Sequence, residues 1–108
     1  MAYPAAFVQA LTEAGWLGAL ITENFGVSGL PLSAAAVILE EIHRSGSNAD
    51  ACHAQMYTMG ILLRHGSEAQ KRLYLPKIAD GTLRLQAFGV TEPSSGTDTG
   101  ALPTTAKR

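Results

Sequence analysis

Apolar residues recur at helical spacing along most of this chain, in four stretches separated by residues that stop helices. Phe7, Val8, Leu11 and Ala14 mark the first stretch; Pro4 suits an initial helical position because its missing N–H goes unused there, and Gly15 is the stop. Residues 16–21 read as a buried connector. Residues 22–32 carry Asn24, Gly26, Ser28, Gly29 and Pro31, all turn formers, and read as a loop. Ser33 is placed to cap a second helix running to about Arg44, with Val37, Ile38 and Ile42 inward, Glu40, Glu41 and Arg44 outward, and Gly46 as its end. A third helix, capped by Ser47 or Asn48, runs to His65 with a buried stripe of Cys52, Met56, Met59 and Leu63, and Gly66 stops it. Ser67 and Gln70 have the spacing of a capping box, so a fourth helix begins at Glu68; Pro76, with no N–H to donate, kinks or restarts it, and Gly81 closes it. The expectation is an all-α body of four helices around one core that includes Phe7, Leu11, Val37, Ile38, Ile42, Met56, Met59, Leu63 and Leu73.

At Leu83 the period changes. Leu83, Leu85 and Ala87 alternate with Arg84, Gln86 and Phe88, the pattern of a first β-strand over residues 83–90. Beyond Val90 the chain turns to Thr, Glu, Pro, Ser, Gly and Asp, a loop rich in hydroxyls and backbone freedom. The chain therefore divides into a helical domain at 1–82 and the start of a β-domain at 83–108.

Composition narrows the function classes. The 108 residues allow one compact domain with its own core, and 46% apolar against 16% charged residues is a soluble globular balance. A net charge of −1 gives no footprint for nucleic acid or an anionic membrane surface. The longest near-continuous apolar run, residues 16–21, falls far short of the roughly 20 residues that cross a bilayer. Cys52 is alone and can form no internal disulfide, and the N-terminus has no secretory pattern, so a reducing, cytoplasmic setting is expected.

His43, His53 and His65 lie ten and twelve residues apart, which puts no two of them on adjacent helical turns as a metal pair requires, so no metal site is expected. Cys52 reads as a small core residue. The segment built for a ligand is Thr91-Glu92-Pro93-Ser94-Ser95-Gly96-Thr97-Asp98: Pro93 fixes the backbone direction, Gly96 permits close approach, and hydroxyls and free amides offer donors. On these residue types alone an ordinary surface turn is the favoured reading.

The run Gln86-Ala87-Phe88-Gly89-Val90-Thr91-Glu92-Pro93-Ser94-Ser95-Gly96-Thr97-Asp98 closely resembles the signature of the acyl-CoA dehydrogenases, in which a strand ends in a Thr-Glu-Pro turn followed by Gly-Ser-Asp. Upstream, Leu39-Glu40-Glu41-Ile42, then His65-Gly66-Ser67-Glu68-Ala69-Gln70-Lys71 and Tyr74-Leu75-Pro76-Lys77-Ile78-Ala79-Asp80-Gly81 resemble the family in order and spacing, as does Thr104-Thr105-Ala106-Lys107-Arg108 downstream. Departures are Thr22-Glu23-Asn24-Phe25-Gly26-Val27 where the family usually has Pro-Glu-Glu-Tyr-Gly-Gly, Ser94-Ser95 where Gly-Ala is frequent, and Thr97 at a serine position.

The resemblance implies the N-terminal four-helix domain of that fold and the first strand and loop of a truncated middle β-domain. It implies FAD as cofactor, against Phe88, Gly89, Val90, Thr91, Glu92, Pro93, Ser94, Ser95, Gly96 and Thr97, with the hydroxyl and amide of Thr91 at the flavin edge. Thr97 would also meet the CoA side of an acyl-CoA substrate. His53 and Tyr57, four apart on the third helix, could line the acyl tunnel, but plain helix packing is the preferred explanation. The family's base is a glutamate of the C-terminal helical domain, absent here, so no catalytic residue lies in this chain and the chain alone is expected to be inactive; Glu92 belongs to the turn. A homo-oligomer is expected, with electron-transfer flavoprotein as electron acceptor. The competing class is a non-catalytic helical interaction module.

Overall fold

The computed structural model describes residues 3–107; Arg108, last of the family-like run at 104–108, lies outside them. Among the described residues there are four α-helices, α1 (Ala5–Glu13), α2 (Leu32–Arg44), α3 (Asp50–His65) and α4 (Glu68–Ala79), with short 3₁₀ turns at Trp16–Gly18, Glu23–Phe25 and Thr99–Ala101. The helical expectation holds, with shifts at the ends that local chemistry explains. Pro4 and Pro31 stand just before α1 and α2, so Ser33 lies inside the first turn of α2 and makes no cap. Asn48 Oδ1 instead accepts the Asp50 N–H at 2.7 Å and anchors the start of α3. The capping box at α4 is complete: Ser67 Oγ accepts the Gln70 N–H at 3.2 Å, and Gln70 Oε1 accepts the Ser67 N–H at 2.9 Å. Pro76 does not restart the helix, which runs unbroken to Ala79.

Two glycines are required for different reasons. Gly66 ends α3 with φ −66° and ψ 144°, so no left-handed conformation is involved; a Cβ there would stand 2.6 Å from the Leu62 carbonyl oxygen. Gly81 is left-handed at φ +79°, and its missing Cβ leaves room for Thr12, whose Cγ2 would lie 2.4 Å from it. Thr12 is buried and returns its own hydroxyl to the Val8 carbonyl at 2.8 Å.

The core is two adjoining clusters where one was expected. Ile21, Ala35, Met56, Met59, Leu75 and Ile78 form the first, and Val8, Leu17, Ile42, Ala49 and Cys52 the second; Ile38 and Leu39 of α2 pack against both. The connector holds this body together, because Leu17 and Ile21 are fully buried and the turn Trp16–Gly18 touches α1, α3 and α4, although Trp16 itself is 45% exposed. Two expected core members are outside: Val37 is 57% exposed and Leu73 49%, their places taken by Ala35 and by Leu75 and Ile78.

Candidate functional site

Residues 83–90 form no strand. A ladder needs a second strand, and among the described residues no main-chain N–H from Arg84 to Thr91 finds an acceptor. The segment is instead an arm laid over the helical body. The Leu83 N–H donates to the Lys77 carbonyl at 2.9 Å, and Leu83 and Leu85 pack half-buried against the first core cluster. The even positions hold it from the other side of the alternation. Arg84 Nη2 donates to Gln9 Oε1 of α1 at 2.7 Å, Gln86 Nε2 donates to Gln55 Oε1 of α3 at 3.3 Å, and the Phe88 ring stacks on Tyr57 of α3 with centroids 4.8 Å apart and planes at 19°. Ala87, on the same side of the alternation as Leu83 and Leu85, is exposed.

Past the arm the chain closes a tight turn. Glu92 and Ser95 exchange both main-chain hydrogen bonds at 3.0 Å, leaving Pro93 and Ser94 at the tip. Ser95 is buried and its hydroxyl donates to the Asp98 carbonyl, while Asp98 Oδ1 accepts the Gly100 N–H at 3.2 Å and caps the turn Thr99–Ala101. The Ser95 side chain is thus committed inside the turn. Thr91, Ser94 and Thr97 are exposed, and Glu92 is half-buried. Among the described residues the main-chain N–H groups of Gly89, Val90, Thr91, Gly96 and Thr97 make no hydrogen bond, and a Cβ at Gly89 or Gly96 would meet nothing within 4 Å. The surface at 89–97 therefore combines open backbone, free donors and exposed hydroxyls.

The flanking candidates separate cleanly. Tyr57 joins the arm through Phe88, whereas His53, exposed one turn earlier on α3, makes no side-chain hydrogen bond among the described residues. Burial raises the Cys52 thiol above its ordinary value, which keeps it neutral and unreactive. Among the described residues no group of three or more His, Cys, Asp or Glu side chains could hold a metal, and no helix is long and apolar enough to cross a membrane. Gln55 was not anticipated. It is 1% exposed in the middle of the Cys52–Met59 stripe, and a polar residue at that position was the available signal.

The family profile described as "Acyl-CoA dehydrogenase, N-terminal domain" matches residues 1–82. The chain belongs to the acyl-CoA dehydrogenase family. It is 37% identical to a glutaryl-CoA dehydrogenase of Desulfococcus multivorans over 93% of this chain and 26% of that protein. It is 36% identical to a (2S)-methylsuccinyl-CoA dehydrogenase of Cereibacter sphaeroides over 95% of this chain and 19% of that protein. It is 32% identical to the mitochondrial short-chain specific acyl-CoA dehydrogenase of Homo sapiens over 97% of this chain and 26% of that one. The chain thus spans about a quarter or less of the length of these relatives. No solved structure matches it. Within the acyl-CoA dehydrogenase pattern, the run His65-Gly66-Ser67-Glu68-Ala69-Gln70 is the tight junction of α3 with the α4 capping box, so its residues answer to local chain geometry.

Proposed function

We propose that residues 1–82 are the N-terminal helical domain, and residues 83–108 the opening of the flavin-binding β-domain, of an FAD-dependent enzyme that α,β-dehydrogenates acyl-CoA thioesters. The observation that carries this reading is the ordered turn at 92–95, presented beside main-chain donors at 89–91 and 96–97 that have no partner among the described residues. Open backbone at Gly89 and Gly96 fits the approach of a flat or phosphorylated group.

FAD held there would supply a two-electron acceptor for the β-hydrogen of the acyl chain, leaving as hydride, while a base that this chain is not proposed to provide would remove the α-proton. The Thr91 hydroxyl and N–H would donate to the ring edge, favouring its electron-rich form. Pro93, Ser94 and Glu92 would shape the turn beneath it, and Ser95 would hold that turn closed through Asp98. Phe88 and Val90 would border the ring, and Thr97 would meet both cofactor and the CoA side of the substrate. Tyr57, already stacked on Phe88, is the better candidate for the acyl tunnel; His53 is the weaker. No residue of this chain is proposed as the base. Glu92 is tied into the turn by both main-chain bonds to Ser95.

To test this, the chain can replace the corresponding N-terminal part of the Desulfococcus multivorans relative. The chimera should purify yellow. Thr91→Val should leave the helical circular dichroism intact and weaken flavin binding about tenfold, the effect of one lost hydrogen bond. A folded chimera without flavin, or full occupancy and unchanged reduction in Thr91→Val, would sink the reading.

The proposed partners are acyl-CoA, electron-transfer flavoprotein and a second copy of the chain. Association is favoured by the unpaired backbone at 84–91 and by exposed Trp16, Val37, Tyr57, Ile61 and Phe88. Light scattering on the purified chain should report dimers or larger species, and a strict monomer at high concentration would refute it. The same exposed faces support a second reading, a non-catalytic helical interaction module, in which association occurs and the chimera stays colourless.

A further inference from the structure

We propose that Gln55 is a positioning residue, a buried amide on α3 that fixes where the arm at 83–90 lies and so where the turn at 91–97 is presented. Its side chain is 1% exposed among Cys52, Met56 and Met59, where leucine or methionine would fill the volume without asking for partners. Burial of an amide makes its hydrogen bonds obligatory. Gln55 Nε2 donates to the Leu17 carbonyl of the connector at 3.5 Å, and its Oε1 accepts from Gln86 Nε2 at 3.3 Å. Gln86 Oε1 in turn accepts from the Tyr3 hydroxyl. One buried side chain therefore joins the centre of the helical body to the middle of the arm, and a second polar contact ties the arm to the start of the chain.

The contacts at 84, 86 and 88 fall on alternate residues, so they act on one edge of the arm. The outer two are exposed and individually weak: Arg84 to Gln9 is a surface hydrogen bond, and Phe88 and Tyr57 are both about half exposed. Only the central one reaches a buried partner. It lies two residues before Phe88 and five before Thr91, near enough that its loss frees the donors at 89–97 in position and orientation. The geometry stands without any cofactor; its consequence for presenting the turn to flavin rests on the function proposed above.

Nuclear magnetic resonance on the purified chain tests this with no flavin present. Gln86 is on the arm and outside both core clusters, so Gln86→Ala should keep the four helices, with a fall in thermal midpoint of no more than about 8 °C from the orphaned Gln55 oxygen. It should abolish the ring-to-ring contacts between Tyr57 and Phe88, and drop order parameters over 86–97 from near the rigid-backbone value of about 0.85 to below about 0.6. Gln55→Met, which keeps the core volume, should produce the same loosening, and the double variant should add nothing further. Unchanged contacts and order parameters in Gln86→Ala overturn the proposal even if Gln55→Met fails to fold. So does a folded Gln55→Met whose arm is as ordered as in the parent. A colourless chimera with the arm still clasped removes the flavin reading alone.

Discussion

The helical body at 5–82 and the arm and turn at 83–107 belong to one chain, yet they meet the demands of their backbone in opposite ways. In the body, helices satisfy most main-chain groups within themselves, the ends are tied by Asn48 and by the Ser67–Gln70 box, and two clusters of fully buried side chains close it. In the arm, the main-chain N–H groups from Arg84 to Thr91 have no acceptor among the described residues, and beyond the Leu83 N–H bond to the Lys77 carbonyl, position is set by side chains. A helix can complete itself from local sequence, whereas a strand can be completed only by another strand. Stability is therefore concentrated in the first region, while the second keeps main-chain donors that have no partner among the described residues.

The largest expected effect sharpens the first half of that contrast. Leu75 is fully buried in α4 against Ile21, Met56 and Met59, and Leu75→Ala should lower unfolding free energy by about 2–5 kcal/mol in chemical denaturation. Val37→Ala, on the exposed face of α2, should change it by less than about 0.5 kcal/mol. Equal losses at the two positions would mean that the assignment of faces is wrong.

That assignment is where reading the sequence fell short inside the body. All four helices were legible because helical spacing and a glycine stop agreed at each of them, although the expected Ser33 cap is not made and only the α4 capping box is complete. The faces were not. On α2, Ala35, Ile38, Leu39 and Ile42 run along the buried side, and Val37 stands about 200° round from Ala35 at roughly 100° per residue; a small alanine gave no hint that it was the inward one. On α4, Leu73, Tyr74 and Leu75 are consecutive, so no periodicity can choose among them, and the body selects Leu75. In the arm, alternation was visible, but it announces a strand only where a partner strand exists. The turn at 92–95 was legible as a turn from Pro93 and its neighbours. That Ser95 points inward while Thr91 and Thr97 stay free depends on the Asp98 carbonyl, which residue types cannot reveal.

Shortening the arm in two steps locates the end of the body, and the second step should have the smaller effect. A chain ending at Thr82 loses Leu83 and Leu85, which are half-buried on the first cluster, and leaves the buried Gln55 amide without Gln86. Half the burial of two leucines, at about 0.75–1.5 kcal/mol each, plus about 1 kcal/mol for the orphaned amide, gives a loss of roughly 2.5–4 kcal/mol. A chain ending at Ala87 keeps all of these. It gives up only residues that neither core cluster includes, a turn whose buried Ser95 is satisfied within the turn, and one aromatic stack between two half-exposed rings. Such a stack is worth no more than about 1.5 kcal/mol when buried and less in water, so denaturation should place this chain within about 1 kcal/mol of the full one. If ending at Ala87 destabilises the helices as much as ending at Thr82, the turn is part of the body and its donors are not held in reserve for a ligand. If both ends leave stability unchanged, the arm is not anchored by Leu83, Leu85 and Gln55, and the division between the two regions falls at Gly81.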